Sequence, residues 1–191
     1  MGYPWTGRDS MYTSEIMRRR IIIPSPGILT DYGHSPWGEC IAVVGAAADD
    51  PDVMPELICD GIHIHPCMVR NTFRLFGAHR MILISDSMRA VGMEDGQYTL
   101  GGQDVTVRGA LATLADGTIA GSATNLYDCM CKAVEMGIPK EQAIRAATIN
   151  PAVSIGVRDE VGSLEAGKYA NIVIADKELH RRQVILKGVS L

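Results

Sequence analysis

The sequence lacks any apolar run approaching the ~20 residues of a membrane-spanning helix, and it lacks an excess of positive charge. Its 18 lysines and arginines are outnumbered by 22 aspartates and glutamates, which gives a net charge of −4. No basic face is expected to bind nucleic acid or an anionic membrane. The one basic cluster, Arg18-Arg19-Arg20, follows acidic residues closely and is interpreted as a solvated edge.

The first twenty residues also lack the hydrophobic core of a secretory signal. The five cysteines are odd in number and irregularly spaced, which favours reduced thiols in a cytoplasmic protein. With 191 residues, the chain is too short for a complete (β/α)₈ barrel, which needs ~250. The length fits one domain, or one domain with a small annex.

Residues 1–40 are rich in proline and glycine and have no assigned structure beyond a strand-like Ile21-Ile22-Ile23. From residue 41 onward, short apolar runs alternate with helical patterns. Strands are predicted over 41–48, 58–64 and 81–84, and helices over 51–57 and 68–76. This alternation indicates parallel βαβ units and an α/β fold.

Residues 97–119 form short β-rich pieces separated by Gly-Gly and Asp-Gly pairs. Such pairs are hairpin signals, so an antiparallel excursion is predicted here. Two helices are predicted next, over 124–136 and from Pro139 to about 148, where Pro139 suits the first helical position. Asn150-Pro151 stops the second helix, and a further helical turn is predicted up to Gly156. The segment 158–191 is β-like again, with strands at 171–174 and 183–186.

Polar side chains follow two of the predicted strands. The first group lies in DGIHIHP at residues 60–66, and Asp86 ends the run MILISD at 81–86. Enzymes with parallel sheets keep their chemistry at such strand ends. If residues 58–64 are extended, His63 and His65 share one face with Cys59 and Cys67. Substrate contact, a Cys/His zinc site and a pair of hydrogen-bonded histidines without a ligand all remain open.

A carboxylate at the end of a buried strand needs a partner, and for Asp86 a metal-bound water or Arg89 would serve. Asp86 could equally cap the next segment. Residues 116–122, DGTIAGS, are predicted to open a helix after a glycine turn, where amides could bind an anion or a substrate oxygen. The same pattern is also typical of an ordinary loop, and the isolated His34 fits a structural histidine.

Taken together, these motifs resemble the C-terminal half of the N-acetylglucosamine-6-phosphate deacetylase family in the amidohydrolase superfamily. The segments that carry the resemblance occur in that family's order from about Ala42 onward. They are DGIHIHP at 60–66, LISDSMRA at 83–90, DGTIAGS at 116–122, ATINPA at 147–152 and GSLEAGK at 162–168.

The resemblance implies a partial (β/α)₈ amidohydrolase barrel over residues 41–157, with a β-hairpin insert at about 97–119. Part of a small β-sandwich is implied over 158–191. It implies hydrolysis of N-acetylglucosamine 6-phosphate to glucosamine 6-phosphate and acetate with a divalent metal ion, zinc or iron. Asp86 would be the catalytic aspartate and His63 a substrate contact. Ile119, Ala120 and Gly121 would touch the sugar, and His34 would be a metal ligand.

Two segments of that family, a His-x-Glu-Gly-Pro segment and a His-Leu-Tyr/Phe-Asn-Ala-Met segment, have no counterpart in this sequence. We therefore expect the last three barrel units, with exposed strand edges that need the missing half or another copy of the chain. A non-catalytic remnant or sugar-phosphate-binding module is an alternative function. A different amidohydrolase is another.

Overall fold

A computed structural model of the chain describes residues 20–22 and 44–191. In this part, a parallel sheet of three strands, an antiparallel sheet of four and an antiparallel sheet of three are present. The strands are β1 (Arg20–Ile22), β2 (Met54–Ile58), β3 (Ile82–Ile84), β4 (Gly96–Leu100), β5 (Gln103–Arg108), β6 (Leu111–Thr113), β7 (Ile119–Ser122), β8 (Ile172–Ala175), β9 (Arg181–Leu186) and β10 (Val189–Ser190). The helices are α1 (44–49), α2 (Pro66–Phe76), α3 (Leu126–Glu135), α4 (Lys140–Ala147) and α5 (Ile149–Ser154).

The parallel sheet has the order β1-β2-β3. Leu57 of β2 pairs with Leu83 of β3, and both side chains are fully buried. Helices α2, α3 and α4 cover the sheet with apolar residues such as Val69, Ala133 and Ala143, which belong to one core cluster with the two leucines. The predicted βαβ alternation is confirmed, because strand, helix and parallel strand follow one another from β2 to β3.

Three predictions for residues 44–64 are wrong. Residues 44–49 are helical, not part of a strand over 41–48, and Met54–Ile58 is a strand, not a helix over 51–57. The strand also ends at Ile58, so residues 58–64 are not one extended run. Pairing of β2 on both sides overrides the helix signal of its short sequence, as tertiary context commonly does.

The antiparallel sheet has the order β4-β5-β6-β7. Gly101 and Gly102 make the turn between its first two strands, with φ values of +58° and +85° that suit glycine. A second cluster of buried side chains includes Val105 and Val107 of this sheet and Met88 from the segment before it. The antiparallel strands predicted for this stretch are therefore present, and the sheet extends to Ser122.

The prediction that residues 116–122 open a helix is wrong. Ile119–Ser122 is strand β7, and the next helix begins only at Leu126. Asn125 caps it, since its side chain accepts a hydrogen bond from the Asp128 amide. Ile119-Ala120-Gly121 is extended because it pairs with β6. The hydrogen bonds between the two strands replace those that a helix would make.

The following helices confirm the helical pattern, with two differences at the prolines. Pro139 is the N-cap of α4, one position before the predicted one. Helix α4 ends at Ala147 and the predicted further helical turn is present as α5, but Asn150-Pro151 lies in the first turn of α5, where a proline leaves no intrahelical hydrogen bond unmade. The Asn150 side chain donates to the carbonyls of Ala78 and Met81, both at 2.7 Å, and so ties α5 to the residues before β3.

The last sheet, of strands β8, β9 and β10, is thinly covered. None of the described residues 155–191 is buried. The turn between β8 and β9 contacts α3, where the Tyr127 hydroxyl donates to the Leu179 carbonyl at 2.9 Å. The strands predicted at 171–174 and 183–186 are present, while the domain boundary predicted at residue 157 stays a prediction. Within the described ranges, no helix has the length and apolarity to cross a membrane.

Candidate functional site

The chain turns sharply after β2, and Asp60 organises the turn. Its side chain is fully buried. Oδ1 accepts hydrogen bonds from the backbone amides of Ile62 at 2.9 Å and His63 at 3.0 Å. Oδ2 lies 2.7 Å from Nδ1 of the His63 ring. An Asp-Gly pair suits such a turn, because the aspartate satisfies amides two and three residues on, and Gly61 adopts φ +82°.

The Asp60 contact sets the electrostatics of His63. The side-chain hydrogen bond to Asp60 raises the pKa of His63 above its ordinary value, against an opposing effect of burial, and the negative charges of Asp60 and Asp86 add to the rise. Burial alone would raise the pKa of Asp60. Hydrogen bonds from the His63 ring and from the amides of His63 and Ile62 outweigh that effect and lower it. The turn therefore holds an ionised carboxylate against a readily protonated imidazole.

His65 has a different role, and the predicted shared face for His63 and His65 is wrong. His65 is the N-cap of α2, and its Nδ1 accepts a hydrogen bond from the Cys67 amide at 3.2 Å. Cys59 is buried in the core, and burial raises the pKa of its thiol to about 12. In the described part of the chain, these residues do not form a group of three metal-ligating side chains. The early end of β2 is the reason, since it turns the two histidines away from a common strand face.

Asp86 follows β3 by two residues and is exposed. Its backbone has φ +47°, in the left-handed region that non-glycine residues seldom occupy. A non-glycine residue held in this backbone region costs ~1–3 kcal/mol, and such residues are concentrated at functional sites. Arg89, one predicted partner of Asp86, instead donates from Nε to the Thr99 carbonyl at 3.2 Å. A cavity of about 280 Å³ opens beside Asp86 and is lined also by Ser85, Leu126 and Ser154.

Strand β7 reaches the same place from the antiparallel sheet. Ser122 forms a parallel bridge with Ser87, and the Met88 amide donates to the Ser122 carbonyl at 2.9 Å. The Ser87 hydroxyl donates to the Thr124 carbonyl at 2.5 Å. These bonds join the chain directly after Asp86 to the chain directly after residues 119–121.

The structure thus brings most of the predicted residues into one region. His63 and Asp86 follow two adjacent parallel strands, and the charge of Asp86 contributes to the raised pKa of His63. Strand β7 is anchored next to Asp86 by the bridge at Ser87. His34 lies outside the described residues. Sequence reasoning missed Asp60 as the partner of His63, although the Asp-Gly pair at 60–61 was a usable turn signal.

A divalent cation needs several ligand atoms that converge. Within residues 20–22 and 44–191, one group of three candidate side chains does so, and it consists of Asp176, Glu178 and His180 in the turn between β8 and β9. Oδ2 of Asp176 already lies 2.6 Å from the Arg182 guanidinium and 3.0 Å from the His180 ring. Because a guanidinium on that oxygen competes with a cation, and because none of the three residues lines the cavity beside Asp86, the group does not fit a catalytic metal.

The chain matches known proteins over most of its length. The amidohydrolase family model covers residues 23–190. The putative N-acetylgalactosamine-6-phosphate deacetylase of Escherichia coli K12 is 37% identical over 147 residues, which make up 76% of this chain and 87% of that protein. The N-acetylglucosamine-6-phosphate deacetylase of Vibrio furnissii is 39% identical over 147 residues, which make up 76% of this chain but 37% of that longer protein.

Solved structures agree with the sequence matches. N-acetylglucosamine-6-phosphate deacetylase from Pasteurella multocida superposes with a TM-score of 0.73 at 28% identity, over 78% of this chain and 39% of that chain. A mutant of the Mycobacterium smegmatis enzyme, solved in complex with N-acetyl-D-glucosamine-6-phosphate, gives a TM-score of 0.70 at 35% identity, over 76% and 39% of the two chains. The chain therefore spans about two fifths of these solved deacetylases.

The predicted fold class is confirmed: the chain is an α/β protein with part of an amidohydrolase barrel and part of a small β-sandwich. Members of the amidohydrolase family generally depend on a divalent metal ion. From residue 23 to residue 190 the sequence follows the family model, and the chain belongs to the amidohydrolase family, within which it resembles the N-acetylglucosamine-6-phosphate deacetylases.

Proposed function

We propose that this chain carries the sugar-contacting and proton-transferring part of an amino-sugar-phosphate deacetylase. The reaction would convert N-acetylglucosamine 6-phosphate to glucosamine 6-phosphate and acetate. The observation that carries the proposal is the meeting of three segments: the Asp60–His63 turn, the strained Asp86 and the end of β7. Relatives named as deacetylases of N-acetylgalactosamine 6-phosphate and N-acetylglucosamine 6-phosphate support the substrate class.

Asp86 would move the proton in this reaction. A water oxygen attacks the acetyl carbonyl carbon, and its proton passes to the Asp86 carboxylate. Asp86 then gives the proton to the sugar nitrogen as the C–N bond breaks, which releases acetate and the free amine. General acid–base catalysis of this kind is typically worth ~10²–10⁴-fold in rate. Exposure of Asp86 leaves the carboxylate open to water and substrate.

His63 and the residues of β7 would hold the sugar phosphate. The ring of His63 is partly exposed, with 13% of its side-chain surface accessible, so one ring nitrogen can reach a ligand while the other bonds Asp60. Ile119, Ala120 and Gly121 would contact the sugar from the edge strand of the antiparallel sheet. Their position is supported by the bonds that Ser122 makes to Ser87 and Met88.

The cofactor we propose is a divalent cation, zinc or iron. His34 is the position of this sequence that resembles a family metal ligand. Elemental analysis of the purified protein after incubation with zinc tests this, with His34→Ala as the comparison. Equal metal content in the two proteins would rule out His34 as a ligand.

Acetate release from N-acetylglucosamine 6-phosphate tests the activity. We expect wild-type protein supplied with zinc to release acetate and Asp86→Asn to lose ~10²–10⁴-fold in rate. Asp95→Asn is the matched control, because Asp95 is an exposed aspartate that accepts the Gly109 amide at 2.7 Å in the antiparallel sheet. Equal rates for wild type, Asp86→Asn and a no-protein blank would overturn the enzymatic proposal. A panel of other amide substrates separates this activity from that of a different amidohydrolase.

A second candidate function is sugar-phosphate binding without catalysis. It is favoured by one observation: in the described residues, no group of three ligand side chains lies beside Asp86. Saturable binding of N-acetylglucosamine 6-phosphate without any acetate release would support this candidate over the first. Acetate release abolished by Asp86→Asn would exclude it.

We also propose that the chain associates with a chain that carries the part of a deacetylase this sequence does not match, or with another copy of itself. No residue of 155–191 is buried as a whole, and several large apolar residues of the last sheet and of the position that follows it are exposed. They are Val173, Ile174, Leu186, Val189 and Leu191. Contiguous exposed apolar surface marks interaction sites. Sedimentation over a range of concentrations measures this association, and a compact monomer at every concentration would contradict it.

A further inference from the structure

The Asp60 side chain makes more contacts than its turn requires. One carboxylate oxygen, Oδ1, is enough to accept the two amides of Ile62 and His63. The second oxygen, Oδ2, lies 2.7 Å from Nδ1 of the His63 ring. A turn aspartate without a second task would direct that oxygen to water, yet the Asp60 side chain is fully buried.

The contact determines which nitrogen of His63 carries the proton. An ionised carboxylate can only accept hydrogen bonds. Two backbone amides donate to Oδ1 of Asp60, and hydrogen bonds to the charged form hold the carboxylate in its ionised state. Nδ1 of His63 must therefore be the protonated nitrogen, and Nε2 is left as the nitrogen available to a ligand. In the neutral ring Nε2 accepts a hydrogen bond, and in the protonated ring it donates one.

The backbone contacts fix the ring as well as the proton. The amide and the side chain of His63 both bond to the same carboxylate, so the ring cannot rotate about its side-chain bonds without breaking a charge-assisted hydrogen bond. Such bonds are roughly twice as strong as those between neutral groups. His63 is thereby held at the end of β2, within the electrostatic range of Asp86.

We propose that Asp60 is a positioning residue for the deacetylase site: it locks His63 in the tautomer with the proton on Nδ1 and presents Nε2 to the substrate. This inference rests on the proposed function for its catalytic consequence, but the tautomer itself does not depend on activity. Asp60 touches neither substrate nor reacting atoms and acts through the imidazole of His63.

Nitrogen-15 NMR of the histidine rings tests the tautomer directly. In wild-type protein above the pKa of His63, we expect the Nδ1 of His63 to carry the proton. Asp60→Asn keeps an oxygen for the two amides but places an NH₂ group against Nδ1, which can then only accept. The variant should therefore move the proton to Nε2, as in triads where aspartate is replaced by asparagine. Asp95→Asn, the matched control in the antiparallel sheet, should leave the His63 signals unchanged.

A proton on Nε2 in wild-type protein, or the same tautomer in wild type and Asp60→Asn, would overturn the inference. Circular dichroism of the variants identifies any that fail to fold. If Asp60→Asn does not fold, His63→Gln is the second variant. The ring signals that disappear in it belong to His63, so the tautomer of His63 in the wild-type protein can be assigned. The wild-type assignment then decides the question alone.

Acetate release supplies the functional arm. Asp60→Asn should lower the rate by about 10²-fold, the loss that a misplaced catalytic contact produces. In a His63→Gln background, the same substitution should cause no further loss, because Asp60 acts through that ring. An equal loss in both backgrounds would show that Asp60 acts independently of His63. If wild type releases no acetate, the proposed function fails while the NMR result still decides the role of Asp60.

Discussion

The Asp60–His63 pair makes the stability of the fold depend on pH at the scale of single residues. The pKa of Asp60 is lowered in the folded chain, so its contribution is present above its unfolded pKa of ~3.9 and is lost as the pH falls through the folded value. The pKa of His63 is raised, so its contribution is present below its unfolded pKa of ~6.5 and is lost as the pH rises through the folded value. The pair therefore stabilises the fold most between about pH 4 and pH 6.5.

Urea unfolding of wild type and Asp60→Asn checks this range. At about pH 5.5 the substitution should lower the free energy of unfolding by ~1–3 kcal/mol, because it removes the carboxylate from the protonated His63 ring and sets an NH₂ group against the Nδ1 proton. The difference should shrink below pH 4 and at pH values above the folded pKa of His63. A difference that stays constant across this range would show that the charges of the pair do not contribute.

At the residue scale, the sequence predicts where functional side chains lie along the chain better than it predicts which groups they hydrogen-bond. His63 and Asp86 were identifiable because each follows an apolar run, and the ends of parallel strands meet at one edge of a sheet. The hydrogen bond from His63 to Asp60 and the capping role of His65 were not identifiable, since they depend on where β2 ends. A strand that ends at Ile58 instead of residue 64 reassigns every side chain between them.

At the scale of elements, Gly162 fixes the approach of the C-terminal segment to α5. A Cβ added at Gly162 would lie 2.9 Å from the Ala152 Cβ and 3.1 Å from the Ile149 Cα. Its φ is +96°, which L residues seldom adopt. Gly167 has nearly the same φ, +95°, but has no atom within 4 Å of an added Cβ. The two glycines therefore separate backbone strain from close packing.

Thermal or urea unfolding of Gly162→Ala and Gly167→Ala should show this separation. Both variants share the cost of a positive φ, while Gly162→Ala also forces a contact with α5. We expect Gly162→Ala to lose ~1–3 kcal/mol more stability than Gly167→Ala, the usual cost of overpacking. Equal losses would mean that the backbone near Gly162 moves away from α5 at little cost.

The elements themselves were predictable where the pattern was long. Helices α2 and α3 carry apolar residues at helical spacing, and Gly77 is the C-cap of α2 with φ +74°. The stretch of 44–58 was mispredicted because short runs of small apolar residues fit strand and helix equally well. Tertiary contacts decide the structure there: β2 pairs with strands on both sides, and the Arg80 guanidinium donates to the Ala48 carbonyl in the last turn of α1 at 2.9 Å.

At the scale of the whole molecule, the exposed apolar side chains of the last sheet should drive association. Leu186 of β9 is 49% exposed, and Leu75 of α2 is 53% exposed, so the two leucines are matched in burial but lie on different surfaces. We expect Leu186→Lys to weaken self-association in sedimentation experiments, because it places a charge on the last sheet. Leu75→Lys should leave it unchanged. The same effect from both variants would show that association is nonspecific.

The whole-molecule claim is that three segments distant in sequence form one sugar-phosphate site. Hydrogen–deuterium exchange measured by mass spectrometry, with and without N-acetylglucosamine 6-phosphate, tests it even if the chain does not catalyse the reaction. The account predicts slower exchange in peptides that contain residues 60–63, 86–88 and 119–122, and unchanged exchange in β8 and β9. Protection confined to β8 and β9, or no protection at a saturating concentration of the sugar phosphate, would contradict it.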